Sequence, residues 1–395
     1  LLSLLLTLRI INNKSNPAFK IAWLIPILLF PVLGGLVYLV FGSDRTGKYI
    51  RNKMGRIEKE MQDGISKANE RSGIEKMTPD VVNQSHYISN SAHCPPYKNT
   101  TVEYLPMGEV KFERMVQELK KAKRYIFMEY FIIQEGTMWN TILDVLEEKA
   151  KEGVDVRVIY DDMGCILTLP TGYEKTLREK GIQCQIFNPF IPILSSHFNT
   201  RDHRKICVID GNVGFTGGIN LADEYVNRKI RFGHWKDTAI MLEGDAVRSF
   251  TLMFLEMWNV AKSEKVEEFD PYLDVIYERE KHSGEGFVIP YGDSPIDGEH
   301  VGKMVYMDIL NTSKRYVHIM TPYLILDNEM MTALKFAAKR GVEVIIIMPH
   351  VPDKWYAFVL AKTYYNELLD AGVQIYEYTP GFVHAKVFTS DDRKA

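Results

Sequence analysis

Two kinds of hydrophobic pattern divide the chain. Near its start, Ile21 to Phe41 (IAWLIPILLFPVLGGLVYLVF) runs for 21 residues without a charge. At 1.5 Å per residue, a helix of that length would reach roughly 32 Å, enough to span a bilayer core. Pro26, Pro31 and the pair Gly34-Gly35 would be costly in a soluble helix but are tolerated within membranes. The run is too long for a signal peptide, and no small-residue cleavage site follows it. Leu1 to Leu8 (LLSLLLTL) reads as the tail of an earlier span, with Arg9 to Lys20 as the outer turn of a helical hairpin. Arg45, Lys48, Arg51, Lys53, Arg56 and Lys59 follow the second span, whereas only Arg9, Lys14 and Lys20 precede it. The positive-inside rule then puts the long C-terminal part in the cytoplasm. The basic stretch also carries Ile50, Met54, Ile57, Met61 and Ile65 at helical spacing. It reads equally as a helix on an anionic membrane surface and as an ordinary solvated helix.

The rest of the chain alternates short apolar strands with helical stretches. Lys123 to Met128 begins a strand, Met138 to Glu152 has helical periodicity, and Gly153 to Tyr160 and Gly181 to Pro189 read as further strands. The order then repeats. Lys314 to Ile319, Gly341 to Ile347 and Gly372 to Pro380 match the three strands at offsets of 191 (Lys123/Lys314), 188 (Gly153/Gly341) and 191 (Pro189/Pro380). A near-constant offset of this size means a duplicated α/β unit rather than a solenoid, whose periods are roughly 20–50 residues. Strand–helix–strand units predict parallel strands in a sheet covered on both faces. The expected fold is α/β: two similar lobes packed as a pseudo-dimer, preceded by a transmembrane helical segment. The predicted divisions are 1–42 for the membrane segment, 43–98 for a basic linker, 99–275 for the first lobe and 276–395 for the second.

Composition narrows the class. With 395 residues, 46% hydrophobic and 25% charged, the chain is globular and long enough for two to three domains. Its 48 basic and 51 acidic residues give a net charge of −3, which argues against a nucleic-acid binder. Cys94, Cys165, Cys184 and Cys207 form no C-x-x-C and no zinc spacing, and read as free, buried thiols.

The candidate chemistry lies in a repeated motif. His203-Arg204-Lys205-Ile206-Cys207-Val208-Ile209-Asp210 has the form H-x-K-x4-D, and so has His384-Ala385-Lys386-Val387-Phe388-Thr389-Ser390-Asp391. One such match is weak; two at equivalent places in both repeats are strong. In extended backbone, His and Lys two apart point to the same face. One motif per lobe would put two imidazoles and two ammonium groups around a shared cleft. Two lysines can hold a phosphodiester as point charges. Two imidazoles can divide the work, one neutral as nucleophile and one protonated as general acid. This chemistry needs no metal or other cofactor, and the chain shows no metal-ligand spacing.

On these residues the sequence resembles the phospholipase D superfamily, and within it the bacterial cardiolipin synthases. The likeness covers essentially the whole chain: the apolar hairpin, the basic linker, Asn199-x-Arg201-x-His203-Arg204-Lys205, Gly217-Gly218-x-Asn220 and the Thr321-Pro322-Tyr323 turn. It implies an enzyme of the bacterial cytoplasmic membrane, multi-pass, with its catalytic part in the cytoplasm. It also implies that phosphatidylglycerol is bound with its phosphate between Lys205 and Lys386 and aided by the Asn220 amide. His203 would attack phosphorus and His384 protonate the leaving glycerol, although these two roles are interchangeable at this level. The resemblance further implies a carboxylate orienting each histidine; Asp237, 34 residues after His203, is the candidate. Asp210 and Asp391, part of the catalytic motif, would chiefly organise the lysines and strands. The expected partners are phosphatidylglycerol and anionic membrane lipid, with no nucleic acid; the oligomeric state is left open.

Two further expectations follow. The step from Asp210 to Gly217, repeated after Asp391, puts a second glycine at 398, beyond the final Ala395, so the sequence reads as C-terminally truncated. Lobe one also carries about ten extra residues before its motif, including Phe190-Ile191-Pro192-Ile193-Leu194, which read equally as core packing and as an acyl-chain or bilayer contact. Three competing functions remain: another phospholipase D-type phospholipid hydrolase or transferase, with water or serine as acceptor; a membrane-tethered nuclease of the same superfamily, which should bring a basic surplus; and a catalytically dead lipid-binding scaffold, which intact motifs argue against.

Overall fold

The computed structural model describes residues 2–13, 17–42, 55, 57, 73–189, 201–262, 269–273, 286–293 and 299–395. The expectations for the basic stretch, for Asn199 and for Phe190–Leu194 fall outside these residues. So does the boundary expected at 275/276.

The long apolar stretch forms two helices, not one. Pro17–Leu29 and Pro31–Phe41 are separated at Phe30, whose backbone leaves the helical region (φ −130°, ψ 74°). Pro31 is the reason: it disfavours helical backbone at the residue before it and has no N–H to continue the ladder. The second helix doubles back so closely that a Cβ on Gly34 would lie 2.3 Å from the Pro26 carbonyl oxygen. The helix Leu2–Asn12 packs onto both, through Leu6 and Ile10 against Ile27 and Tyr38. Ser3 Oγ donates to the Pro31 carbonyl at 2.8 Å. Among the described residues, no helix is long and apolar enough to cross a membrane. The outer face of this cluster nonetheless exposes Leu5, Leu8, Leu28, Leu29, Val32 and Leu33.

Lobe one is built on a seven-stranded mixed sheet. Its strands are β1 (Thr100–Leu105), β2 (Tyr125–Tyr130), β3 (Asp155–Asp161), β4 (Gln183–Phe187), β5 (Lys205–Ile209), β6 (Val213–Gly217) and β8 (Ala239–Gly244), in the order β1-β8-β6-β5-β2-β3-β4. β2, β3 and β4 are parallel, as the strand–helix pattern predicts, but β5 runs antiparallel to β2. The motif strand thus lies on the far side of β2 from β3 and β4 and runs against all three, so the sheet is mixed. Helices Gly108–Leu119 and Thr137–Lys151 cover one face. Val247–Ala261 covers the other, with Phe254 stacked on Phe127 at 4.5 Å.

Lobe two repeats the parallel part. β9 (Tyr316–Met320), β10 (Glu343–Pro349), β11 (Gln374–Tyr378) and β13 (Val387–Ser390) form a sheet in the order β11-β10-β9-β13. β13 is antiparallel to β9, just as β5 is to β2. Strands start about two residues later than the sequence pattern suggests. The reason is Gly153 and Gly341, which sit at φ 90° and 91°, a left-handed conformation that ends the preceding helix. The lobes are joined by β7 (His234–Lys236), which pairs in parallel with β12 (Gly381–Val383) of lobe two. The linker expected at 43–98 ends in structure: helix Pro79–Ala92 lies on the lobe-two helix Val301–Thr312, with Gln84 Nε2 donating to Asp308 Oδ2 at 2.9 Å. Cys94, Cys165, Cys184 and Cys207 are buried free thiols.

Candidate active site

Both His-x-Lys segments end at the seam between the lobes. His203 and His384 lie just before β5 and β13. In each motif the lysine folds back on its own histidine: Lys205 Nζ donates to the His203 carbonyl and Lys386 Nζ to the His384 carbonyl, both at 2.6 Å. This is the same-face geometry expected of extended residues two apart. β7 and β12 bring the two segments together, and the His384 N–H donates to the Lys236 carbonyl at 2.8 Å.

The two imidazoles differ. His384 is buried (7% exposed) among Trp235, Tyr225 and Phe382, whose rings lie 5.4, 5.6 and 5.8 Å away. Its Nδ1 meets Asp237 Oδ2 at 2.7 Å. Asp237 is fully buried, and its other oxygen, Oδ1, accepts the Thr238 N–H at 2.8 Å. Burial opposes the charge on this carboxyl, but the His384 contact and the Lys386 charge outweigh it and hold its pKa below the usual value. Burial also pulls His384 down; the Asp237 hydrogen bond opposes that fall only in part. His203 opens to the cleft on one side and packs on Phe131, 4.8 Å between rings. Lost solvation, and then the charges of Lys205, Lys386 and His384, push its pKa far down, so it stands neutral. Lys205 Nζ lies 3.3 Å from its Nδ1.

The lysines repel each other. Lys205 is 4% exposed, and burial plus the Lys386 charge lower its pKa to about 7. Lys386 falls to about 8 through loss of solvation. An anion placed between them would relieve both costs, which is the electrostatic signature of a phosphate site. Among the described residues, no group of His, Cys, Asp and Glu is arranged to hold a metal ion.

Three expected site residues stand differently from their sequence reading. Asp237 does belong to the site, but it contacts the histidine of the other lobe and not His203, the histidine from which its spacing was counted. The reason is that β7 pairs with β12 across the seam. Asp210 and Asp391 lie beyond the far ends of the motif strands, seven residues and about 23 Å along extended backbone from the histidines. Each adopts a positive φ (52° and 57°) and accepts three successive backbone N–H groups, Lys123–Tyr125 for one and Lys314–Tyr316 for the other, at 2.7–3.0 Å. They anchor the starts of β2 and β9 and do not reach the cleft. Asn220 is buried beside the site; its Oδ1 accepts the Ile132 N–H at 3.1 Å and its Nδ2 donates to Tyr225 Oη at 2.7 Å. Only one amide N–H is left for a substrate phosphate.

Two glycines of the motif act through Asp237. Gly217 has φ 154°, and a Cβ there would strike the Thr238 carbonyl at 2.4 Å. A Cβ on Gly218 would lie 2.1 Å from Asp237 Oδ1. The glycine pair therefore makes room for the carboxylate that orients His384. Sequence reasoning also missed a lobe-two cluster at the mouth. Tyr323 Oη donates to Asp353 Oδ2 at 2.6 Å, and Lys354 Nζ donates to Tyr323 Oη at 2.8 Å. Only the Thr321-Pro322-Tyr323 turn hinted at it.

Comparison with known proteins gives consistent results. The family described as "Cardiolipin synthase, PLD-like domain" matches residues 115–258 and 306–395, and "Phospholipase_D-nuclease N-terminal" matches 1–43. An uncharacterised Streptococcus mutans protein is 51% identical over 98% of this chain and 84% of its own length. A cardiolipin synthase of Geobacillus thermodenitrificans is 36% identical over 97% of this chain and 76% of its own. The crystal structure of a Haemophilus influenzae phosphatidylserine synthase shares the fold, with TM-score 0.55 at 14% identity over 79% of this chain and 81% of that one.

Proposed function

We infer the reaction from one premise: this chain belongs to the cardiolipin synthases with phospholipase D-like domains, and it is a phosphatidyltransferase. It makes cardiolipin from phospholipid, with phosphatidylglycerol as both donor and acceptor. The observation that carries the mechanism is the Asp237–His384 contact across the lobes, because it makes the two histidines unequal.

The donor phosphate enters between Lys205 and Lys386. It draws Lys205 Nζ away from His203 Nδ1, which can then keep the ring proton and leave the Nε2 lone pair free. His203 Nε2 attacks phosphorus, and an N–P bond forms as the P–O bond to glycerol breaks. His384 Nε2 gives its proton to the departing glycerol oxygen, and Asp237 stabilises the imidazolium before transfer and fixes the ring afterwards. The terminal hydroxyl of a second phosphatidylglycerol then attacks the same phosphorus. Its proton passes to His384 Nε2, the N–P bond breaks, and cardiolipin and glycerol result. One phosphodiester is exchanged for another, so no nucleotide is consumed.

The enzyme is membrane-associated, and the exposed apolar face of the N-terminal helices supports anchoring in lipid. The basic residues between Arg45 and Lys59 support the reading that the lobes face the cytoplasm. The test follows products by mass spectrometry in phosphatidylglycerol vesicles, beside His203→Ala and His384→Ala. Cardiolipin plus glycerol, lost in both variants, is expected. Phosphatidic acid alone would make water the acceptor. Lipid binding without turnover would make the chain a scaffold.

A further inference from the structure

The mouth of the cleft is framed by two loops that the internal repeat makes equivalent. One follows β3, the other β10, and the offset of 188 between Asp155 and Glu343, which begin these strands, carries Leu167 onto Trp355. Both are large apolar side chains held out in solvent: Leu167 is 94% exposed and Trp355 74%. Ile166 flanks the first, and Tyr356 and Val359 extend the second along the helix Trp355–Asp370. Isolated exposed apolar residues are ordinary on protein surfaces, but a cluster at one edge marks an interaction site.

Both loops border the reacting groups. The first backs onto Phe131, the ring that packs on His203: a Cβ on Gly164 would lie 1.9 Å from the Phe131 carbonyl oxygen, and the Ile133 N–H donates to Cys165 Sγ at 3.3 Å. The second carries Asp353 and Lys354, tied to Tyr323 at 2.6 and 2.8 Å. The Lys354 charge reaches His203 and that of Asp353 reaches Lys386. Hence the apolar tips stand at the entrance of the phosphate site, one from each lobe.

We propose that Leu167 and Trp355, with their neighbours Ile166, Tyr356 and Val359, form a two-sided rim that inserts into the leaflet of an anionic phospholipid bilayer and seats the cleft over its substrate. This rests on the reading of the chain as a phosphatidyltransferase. The chemistry of the rim selects a bilayer rather than a protein. Trp and Tyr favour the headgroup boundary, where one end of the ring is apolar and the other wet. Lys354 stands beside Trp355 in sequence, and Lys362 lies two turns along the same helix with its Nζ 4.4 Å over the Phe358 ring. Such lysines can lay their stems on apolar surface and their ammonium groups against anionic headgroups. The reaction makes the same demand: a phosphate must reach Lys205 and Lys386 while its acyl chains remain in lipid.

The test uses the full chain and two readouts. In a Trp23→Phe background, Trp355 fluorescence is recorded with vesicles of phosphatidylglycerol brominated along the acyl chains, against Trp23→Phe/Trp355→Phe as the blank. Quenching of the Trp355 signal is expected; vesicle binding without quenching overturns the proposal. Separately, Leu167→Ser/Trp355→Ser is compared with the unaltered protein on vesicles and on a short-chain phosphatidylglycerol below its micelle concentration. The apparent KM on vesicles should rise roughly tenfold or more, with activity on the monomeric lipid unchanged. An equal loss on both substrates, or a loss on neither, overturns the rim. Should the unaltered protein transfer nothing from either the vesicles or the monomeric lipid, the phosphatidyltransferase reading itself fails, while the quenching result still decides the rim.

Discussion

Replacing Asp237 by Asn keeps the shape of the buried site and removes one charge. In the native protein, Asp237 Oδ2 lies 2.7 Å from His384 Nδ1 and raises the tendency of that ring to hold a proton. A buried hydrogen bond to a charged group contributes about 1.5–3 kcal/mol. At 1.36 kcal/mol per factor of ten, its loss predicts a roughly ten- to two-hundredfold fall in kcat. Buried carboxylate–histidine pairs in serine proteases lose about 10⁴-fold on the same change, which sets a ceiling. The sign of the pH effect follows as well. Without Asp237 the His384 pKa drops further, so the limb of the rate profile that needs protonated His384 moves to lower pH. Leaving-group chemistry separates the two half-reactions. A phosphatidyl ester of p-nitrophenol needs no proton on departure, so Asp237→Asn should release p-nitrophenolate in a stoichiometric burst and then turn over slowly. Its absorbance in a stopped-flow experiment reads this directly. Equal losses with p-nitrophenol and glycerol as leaving groups, or an unshifted pH profile, would refute the role given to Asp237.

Four other predictions are equally open to measurement. Gly218→Ala should act as a milder Asp237 variant, with kcat falling and the pH profile moving the same way, because the new methyl would meet Asp237 Oδ1; an unchanged profile counts against this coupling. Asp210→Ala should lower stability by roughly 2–4 kcal/mol, through three lost hydrogen bonds and a non-glycine positive φ, while kcat per folded molecule holds. Its lobe-two counterpart, Asp391, has a depressed pKa, so the stability it contributes is present above the ordinary carboxylate range and is lost as pH falls through the folded value; thermal melts from pH 7 to pH 3 check this. Sulfate, which does not titrate in this range, should inhibit competitively and bind less well as pH rises past about 7 and 8, where Lys205 and Lys386 lose their protons in the empty site; a pH-independent inhibition constant would remove the lysines from the anion site.

The parts of this fold that rest on local pattern were legible in the sequence. The repeat offsets located β2, β3 and β4 and their lobe-two counterparts β9, β10 and β11. The spacing of His203 and Lys205 gave their common side, because extended backbone has a fixed period. What escaped depends on contacts distant in sequence. Asp237 and His384 are 147 residues apart and meet only because β7 finds β12. Nothing in the sequence around Asp210 reveals that its partners are the N–H groups of Lys123 to Tyr125. At the N-terminus, hydropathy saw a single apolar span because it sums transfer energies and ignores the backbone at Phe30, where Pro31 breaks the helix.

The seam between the lobes has a consequence for the order of events during synthesis. Lobe one leaves the ribosome with Asp237 but without the imidazole that meets its carboxylate, and, on the proposed mechanism, His203 emerges with no second histidine to serve its leaving group. Chemistry becomes available only when the segment from Gly381 to Lys386 has been made and has laid its strand along His234 to Lys236. On the proposed mechanism a nascent chain is therefore inert until β12 docks on β7.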